Sequence, residues 1–165
     1  MIRLSWLMPR TLLLLSVLAI CVTSLRSQSA KSGEKETLMH ATGSFDVSLN
    51  PQEDKSVEGV NRMLIDKHYY GDLEGTAKGQ MLATGSAQSS GVYVAIETFR
   101  GTLHGKSGSF SLHHTGIMSK AGPNLSIHVV PDSGTGELSG IAGRMNITIA
   151  GGKHTYDFEY TLPNH

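Results

Sequence analysis

A carboxylate, a histidine and a set of aromatic rings are the residues of this sequence whose types and spacing could do chemistry. In the stretch Val92 to His104, Tyr93, Ala95, Glu97 and Phe99 recur at every second position. In an extended segment they share one side, so Glu97 is carried toward the interior with aromatic and small residues. Between Ser109 and Met118 the same alternation sets Phe110, Leu112 and His114 on one side and His113 on the other. A carboxyl in an apolar interior is pushed up by desolvation, and can then accept a proton or anchor a ligand. A histidine inside the same cavity would complete an acid and base pair. The plainer readings are that Glu97 pairs with a buried arginine or a tyrosine hydroxyl and holds strands in register, and that His114 is a hydrogen-bonded core residue. Tyr93, Phe99 and Phe110 would wall a ligand site or simply fill a core.

Asp66 is a further candidate, and its role depends on which face of its strand turns inward. Met63, Ile65 and Tyr69 oppose Arg62, Leu64, Asp66 and His68, so both faces carry apolar residues. Internal, Asp66 would add a second carboxylate near Glu97 and a contact for a ligand; external, it is solvated. Arg62 and Arg100 are the cations available to neutralise a buried acid. No histidine pair has the HxH spacing of a strand metal site or the HExxH of a helical one, so no metal and no cofactor is expected. Glycine-rich stretches are present without a following helix start, which excludes a phosphate loop. There is no GxSxG, which leaves serine-hydrolase chemistry unsupported.

The elements that must position these residues are organised around a pentad, GxLxG, at Gly71–Gly75, Gly101–Gly105 and Gly136–Gly140. The copies start 30 and then 35 residues apart, the length of a pair of long strands with their turns, and read as recurring bends in one sheet. Alternation marks strands at Thr37 to Leu49, Val60 to Tyr70, Gly71 to Thr84, Val92 to His104, Ser109 to Met118, Leu125 to Val130, Gly136 to Ile149 and Lys153 to Leu162. Turn-forming residues separate nearly all of them, and no window has a helical apolar period. The expectation is an all-β domain, a closed antiparallel eight-stranded β-barrel in up-and-down order, because closure removes the unpaired edges. A two-sheet sandwich is the alternative.

The first residues read differently. Arg3 and Arg10 precede an apolar run from Thr11 to Val22, followed by small polar residues at Thr23, Ser24 and Ser27, the order of a secretory signal. The run falls short of the roughly 20 residues of a membrane span. Residues 1–30 are therefore expected to be a signal and its cleavage region, 31–36 a flexible spacer, and 37–163 the single barrel domain. Export follows, to the periplasm or the medium. The single cysteine, Cys21, lies behind Leu18-Ala19-Ile20, a near match to a lipoprotein signal, so anchoring through a lipid on Cys21 is the alternative. Loss of Arg3, Arg10 and Arg26 leaves 11 basic residues against 14 acidic, a balance that argues against a nucleic-acid surface.

Several spaced blocks taken together carry a resemblance: Asp66-Lys67-His68-Tyr69-Tyr70-Gly71-Asp72-Leu73-Glu74-Gly75, Tyr93-Val94-Ala95-Ile96-Glu97, Gly101 to Phe110, and Ser133 to Gly143. From about His40 to Leu162 the chain resembles a bacterial domain family of unknown function grouped with the allene oxide cyclase-like, or dirigent-like, barrels. The resemblance implies a closed eight-stranded barrel and brings no established activity. Plant allene oxide cyclases and dirigent proteins share the barrel type and bind apolar or phenolic small molecules inside it, an analogy at the level of the fold.

Three functions are compatible with these residues. The first is a barrel binding a small apolar or phenolic ligand, oriented by internal polar groups such as Glu97 and His114. The second is an isomerase or cyclase of allene oxide cyclase type, acting on an unsaturated small molecule. The third is a filled barrel serving as a structural or interaction module. Outside the barrel, Val92, Val94 and Ile96 form an apolar row that needs cover, for which a homo-oligomer is the expectation.

Overall fold

The period-two pattern is realised as nine strands among the described residues, 37–53, 56–85 and 90–163 of a computed structural model. The residues expected to form the signal (1–30, with Cys21) and the spacer (31–36) lie outside them. The strands are β1 (Met39–Gln52), β2 (Asn61–Gly71), β3 (Leu73–Thr84), β4 (Gly91–Leu103), β5 (Lys106–Ser119), β6 (Gly122–Val129), β7 (Thr135–Gly136), β8 (Ala142–Ala150) and β9 (Lys153–Thr161). β1 to β6 form an antiparallel meander in chain order. β8 meets β6, β9 pairs with β8, and β9 returns to β1, which closes the sheet. Eight strands make the barrel, and β7 adds a two-residue patch to the start of β5 at Gly108 and Ser109. Among the described residues no helix is long and apolar enough to cross a membrane.

The pentads do not all bend one sheet in the same way. The first spans the β2–β3 corner, with Gly71 ending β2, a bend at Asp72, and Leu73 opening β3. The second ends β4 and continues into the β4–β5 turn at His104 and Gly105. The third corrects the expectation of a strand from Gly136 to Ile149: Glu137 to Gly140 is a turn, and β8 starts only at Ala142. Gly136 and Gly140 adopt φ of 61° and 77°, a left-handed conformation that glycine alone takes at little cost. Backbone bonds Leu138 N–H to Thr135 O (3.1 Å) and Ile141 N–H to Leu138 O (3.2 Å) then close the turn. What the three copies share is the leucine, since Leu73, Leu103 and Leu138 are all buried at the same end of the barrel.

That end is filled. Phe99, Phe110, Phe158 and Tyr160 form a run of rings with centroids 5.2 to 5.5 Å apart, and Tyr69 meets Phe99 edge-on at 5.7 Å. The Tyr156 hydroxyl accepts the Leu73 N–H at 2.8 Å, tying β9 to the first corner across the interior. At the opposite end the inward-facing residues become accessible: Met63, Met81, Tyr93 and Leu125 are half-buried, and Leu49 is 47% and Met118 45% exposed. The barrel is closed by packing at one end and open at the other.

Closure is also uneven around the circumference. Seven of the neighbouring strand pairs are joined by ladders of 7 to 13 residue pairs. β6 and β8 share one, His128 with Arg144.

Candidate functional site

Between the filled and the open halves lies a layer of buried polar groups. β2 supplies Lys67 and Tyr69, two residues apart and therefore on one face; β4 supplies Glu97 and β5 supplies His114. On the intervening strand β3 the inward residues are small. Ala77 lies opposite Lys67 and Gly79 opposite Glu97, and a Cβ on Gly79 would fall 2.7 Å from both Cα and Cβ of Glu97. That space lets the Glu97 carboxylate reach across β3 to β2.

The Lys67 ammonium donates to Glu97 Oε1 at 2.9 Å, the Tyr69 hydroxyl donates to the same oxygen at 3.0 Å, and Lys67 Nζ lies 3.4 Å from the Tyr69 hydroxyl. Lys67 Nζ also sits 4.7 Å from the centroid of the Phe45 ring, a cation–π contact. His114 Nε2 approaches Glu97 Oε1 to 3.4 Å without hydrogen-bond alignment. All four residues are buried, Glu97 at 1% exposure. Two polar atoms in this layer, Glu97 Oε2 and His114 Nε2, have no hydrogen-bond partner among the described residues.

Burial pushes the Glu97 carboxyl up, as the sequence suggests, but His114 and the charge of Lys67 more than reverse it and bring it down to about 2. The expectation of a raised carboxyl is therefore corrected: His114 and Lys67 together outweigh desolvation. Burial and the neighbouring Glu97 charge raise the Tyr69 phenol well above its ordinary value. The half-buried Tyr93 is raised for the same two reasons, and its ring covers the bare backbone of Gly116 on β5. Glu97 is thus an ionised hydrogen-bond acceptor at neutral pH and a poor proton acceptor. A site of this kind can orient a polar group or steady positive charge more readily than it can abstract a proton.

The structure brings Glu97 and His114 together, sets Tyr93 on the side of the open end, and places Phe99 and Phe110 in the packed rings beneath. Asp66 is elsewhere. β2 keeps its alternation without a bulge, which turns Asp66 outward, where its carboxylate pairs with Lys78 at 2.6 Å. Arg62 also faces out and donates to Gln80 at 3.3 Å, and Arg100 is exposed, so neither neutralises Glu97. The cation that does so, Lys67, escaped the sequence reading. Its signal was ambiguous, because Lys67 falls in the odd-numbered row of Met63, Ile65 and Tyr69 while Leu64 lies in the opposite row.

On the outer face, Val92, Val94 and Ile96 are 42%, 49% and 61% exposed. Register places Val94 directly opposite Leu82 and Val92 opposite Ile117, so the row widens into a patch across three strands. Leu82, Val94 and Ile96 of this patch line a groove of about 680 Å³ together with Val57 and Val60 of the β1–β2 connection.

Fold and site together define a closed eight-stranded antiparallel β-barrel with a buried lysine–glutamate–histidine layer between a packed end and an open one. Residues 41–160 match DUF3224, a family of proteins of unknown function, and the chain belongs to that family. A solved structure of a DUF3224 protein of unknown function from Shewanella oneidensis MR-1 is similar at 42% sequence identity and a TM-score of 0.72, covering 78% of this chain and 100% of that one. No curated protein matches the sequence.

Proposed function

We propose that the protein is an exported barrel that binds a small apolar or phenolic molecule in its open half, with the polar layer as the floor of the site. The observation that carries this reading is the pair of partnerless polar atoms, Glu97 Oε2 and His114 Nε2, buried where the packed half gives way to the open one. Buried polar groups are nearly always satisfied, and a ligand's polar end would satisfy these two. The half-buried Met63, Met81, Tyr93 and Leu125 offer the apolar walls that a small-molecule site needs. Native mass spectrometry of the purified protein, followed by titration with the neutral apolar fluorophore N-phenyl-1-naphthylamine, tests it. A co-purifying small molecule or saturable fluorescence enhancement is expected; a clean unliganded mass with no enhancement would overturn the reading.

An isomerase or cyclase would use the same groups, with Glu97 steadying developing positive charge rather than taking a proton. A carboxyl held near 2 favours the binder over chemistry that begins by proton abstraction. On the outside, the patch of Val92, Val94, Ile96, Leu82 and Ile117 is assigned to self-association, which would remove it from water.

A further inference from the structure

The two partnerless atoms at the floor also restrict what the ligand's polar end can be. We infer that the site selects an uncharged hydroxyl group, which donates its hydrogen to Glu97 Oε2 and accepts one from His114 Nε2, in preference to a carboxylate or an amine. This rests on the binding reading and adds the head group to it.

The charges of Lys67 and Glu97 already balance one another. The Lys67 ammonium is spent on Glu97 Oε1 at 2.9 Å and on the Tyr69 hydroxyl at 3.4 Å, and the Phe45 ring covers it at 4.7 Å. An entering carboxylate would meet the free oxygen of Glu97 as a like charge, with the Lys67 ammonium already committed to Glu97. An entering ammonium would find Glu97 Oε2, but it would be a second buried cation beside Lys67 sharing one carboxylate. Both ions would surrender their hydration at a site whose carboxylate and ammonium are already paired with one another.

A hydroxyl has the matching inventory, with one hydrogen to donate and lone pairs to accept. Glu97 Oε2 is an acceptor in its ionised form, the form in which His114 and Lys67 hold it against the opposing effect of burial. His114 Nε2 becomes the donor in the tautomer that carries its hydrogen there. The carbon body would then extend past Tyr93, whose ring is seated against Gly116, toward the open end. A polar site built for a hydroxyl also penalises an analogue that lacks one, because its own buried groups stay unpaired.

The test is a matched ten-carbon series, 1-decanol, decanoate and decylamine, each displacing N-phenyl-1-naphthylamine from the purified protein at pH 7.5, with decane as the headless control. The expected result is that decanol binds at least about tenfold more tightly than the other three. In Glu97→Gln that preference shrinks. Decanoate or decylamine binding as well as decanol would overturn the head-group inference and leave the barrel-binding reading standing. Absence of fluorophore binding and of any displacement would remove both. Because the comparison is made first in the native protein, a fold defect in Glu97→Gln does not decide it. The double variant Lys67→Met/Glu97→Gln, which removes both charges together, supplies the second comparison and is expected to lose the preference.

Discussion

Lys67 and Glu97 hold opposite charges 2.9 Å apart with almost no access to water, so each is tolerable only because of the other. Lys67→Met removes the cation and leaves a carboxylate in an apolar interior, and urea unfolding at pH 7 is expected to register a loss of roughly 3–5 kcal/mol. Lys67→Met/Glu97→Leu removes both charges and should recover most of that loss; a double variant no better than the single one would mean that the pair is not the source. The same pair sets a pH dependence. Glu97 is lowered from 4.5 to about 2, so its contribution is complete above the ordinary carboxylate range and is lost as pH falls through about 2. Urea midpoints should therefore fall between pH 4.5 and 2, and fall less in Glu97→Gln, where the group no longer titrates. Glu97 and His114 were legible in the sequence because each lies in a clean alternating row. Lys67 was not, since apolar residues on both sides of β2 hid which face turns inward. The direction of the Glu97 shift depends on that missing cation, and so was illegible with it.

At the level of strands, alternation specifies sidedness well and pairing poorly. The inward rows of β1, β3, β4, β5 and β9 follow from period two alone. The third pentad does not, because the same GxLxG pattern is a strand end in one context and a left-handed turn in another, and what decides is where Leu138 must be buried. Nor does local sequence reveal that β6 and β8 are joined at one pair of residues, a property of how two distant segments approach. That seam has a measurable consequence. Among the described residues, β6 has no ladder partners on the side facing β8 from Gly122 to Ile127, and β8 has none on the side facing β6 from Met145 to Ala150. In hydrogen-exchange mass spectrometry these two segments are expected to exchange well before β2 and β3, which are laddered on both edges along nearly their whole length. Uniform protection around the barrel would contradict a loosely closed seam.

For the molecule as a whole, the apolar patch on β3, β4 and β5 is the feature that an isolated barrel leaves unexplained. Val92, Val94 and Ile96 were legible as an outward row from alternation. Their enlargement by Leu82 and Ile117 required the strand register, since those residues come from other segments of the chain. Single exposed apolar residues are ordinary, but side chains directly opposite one another across three strands form a contiguous surface of the kind that marks an interface. Self-association would bury the patch against its own copy, as a two-fold interface requires of a self-complementary surface. Light scattering behind size exclusion is therefore expected to give a mass at least twice that of one chain. Val94→Glu/Ile96→Glu should shift it to the monomer, because burying two carboxylates against an apolar partner is costly. Both side chains lie outside the barrel, so the thermal midpoint of the isolated subunit should be nearly unchanged. A native protein that runs as a monomer at high concentration would refute the assignment. A charged variant that unfolds would locate these residues in the packing of the barrel rather than in an interface. The floor of the proposed ligand site lies inside the barrel and the patch outside it, so the monomeric variant should still bind N-phenyl-1-naphthylamine, and loss of both properties together would tie the open end to the partner copy.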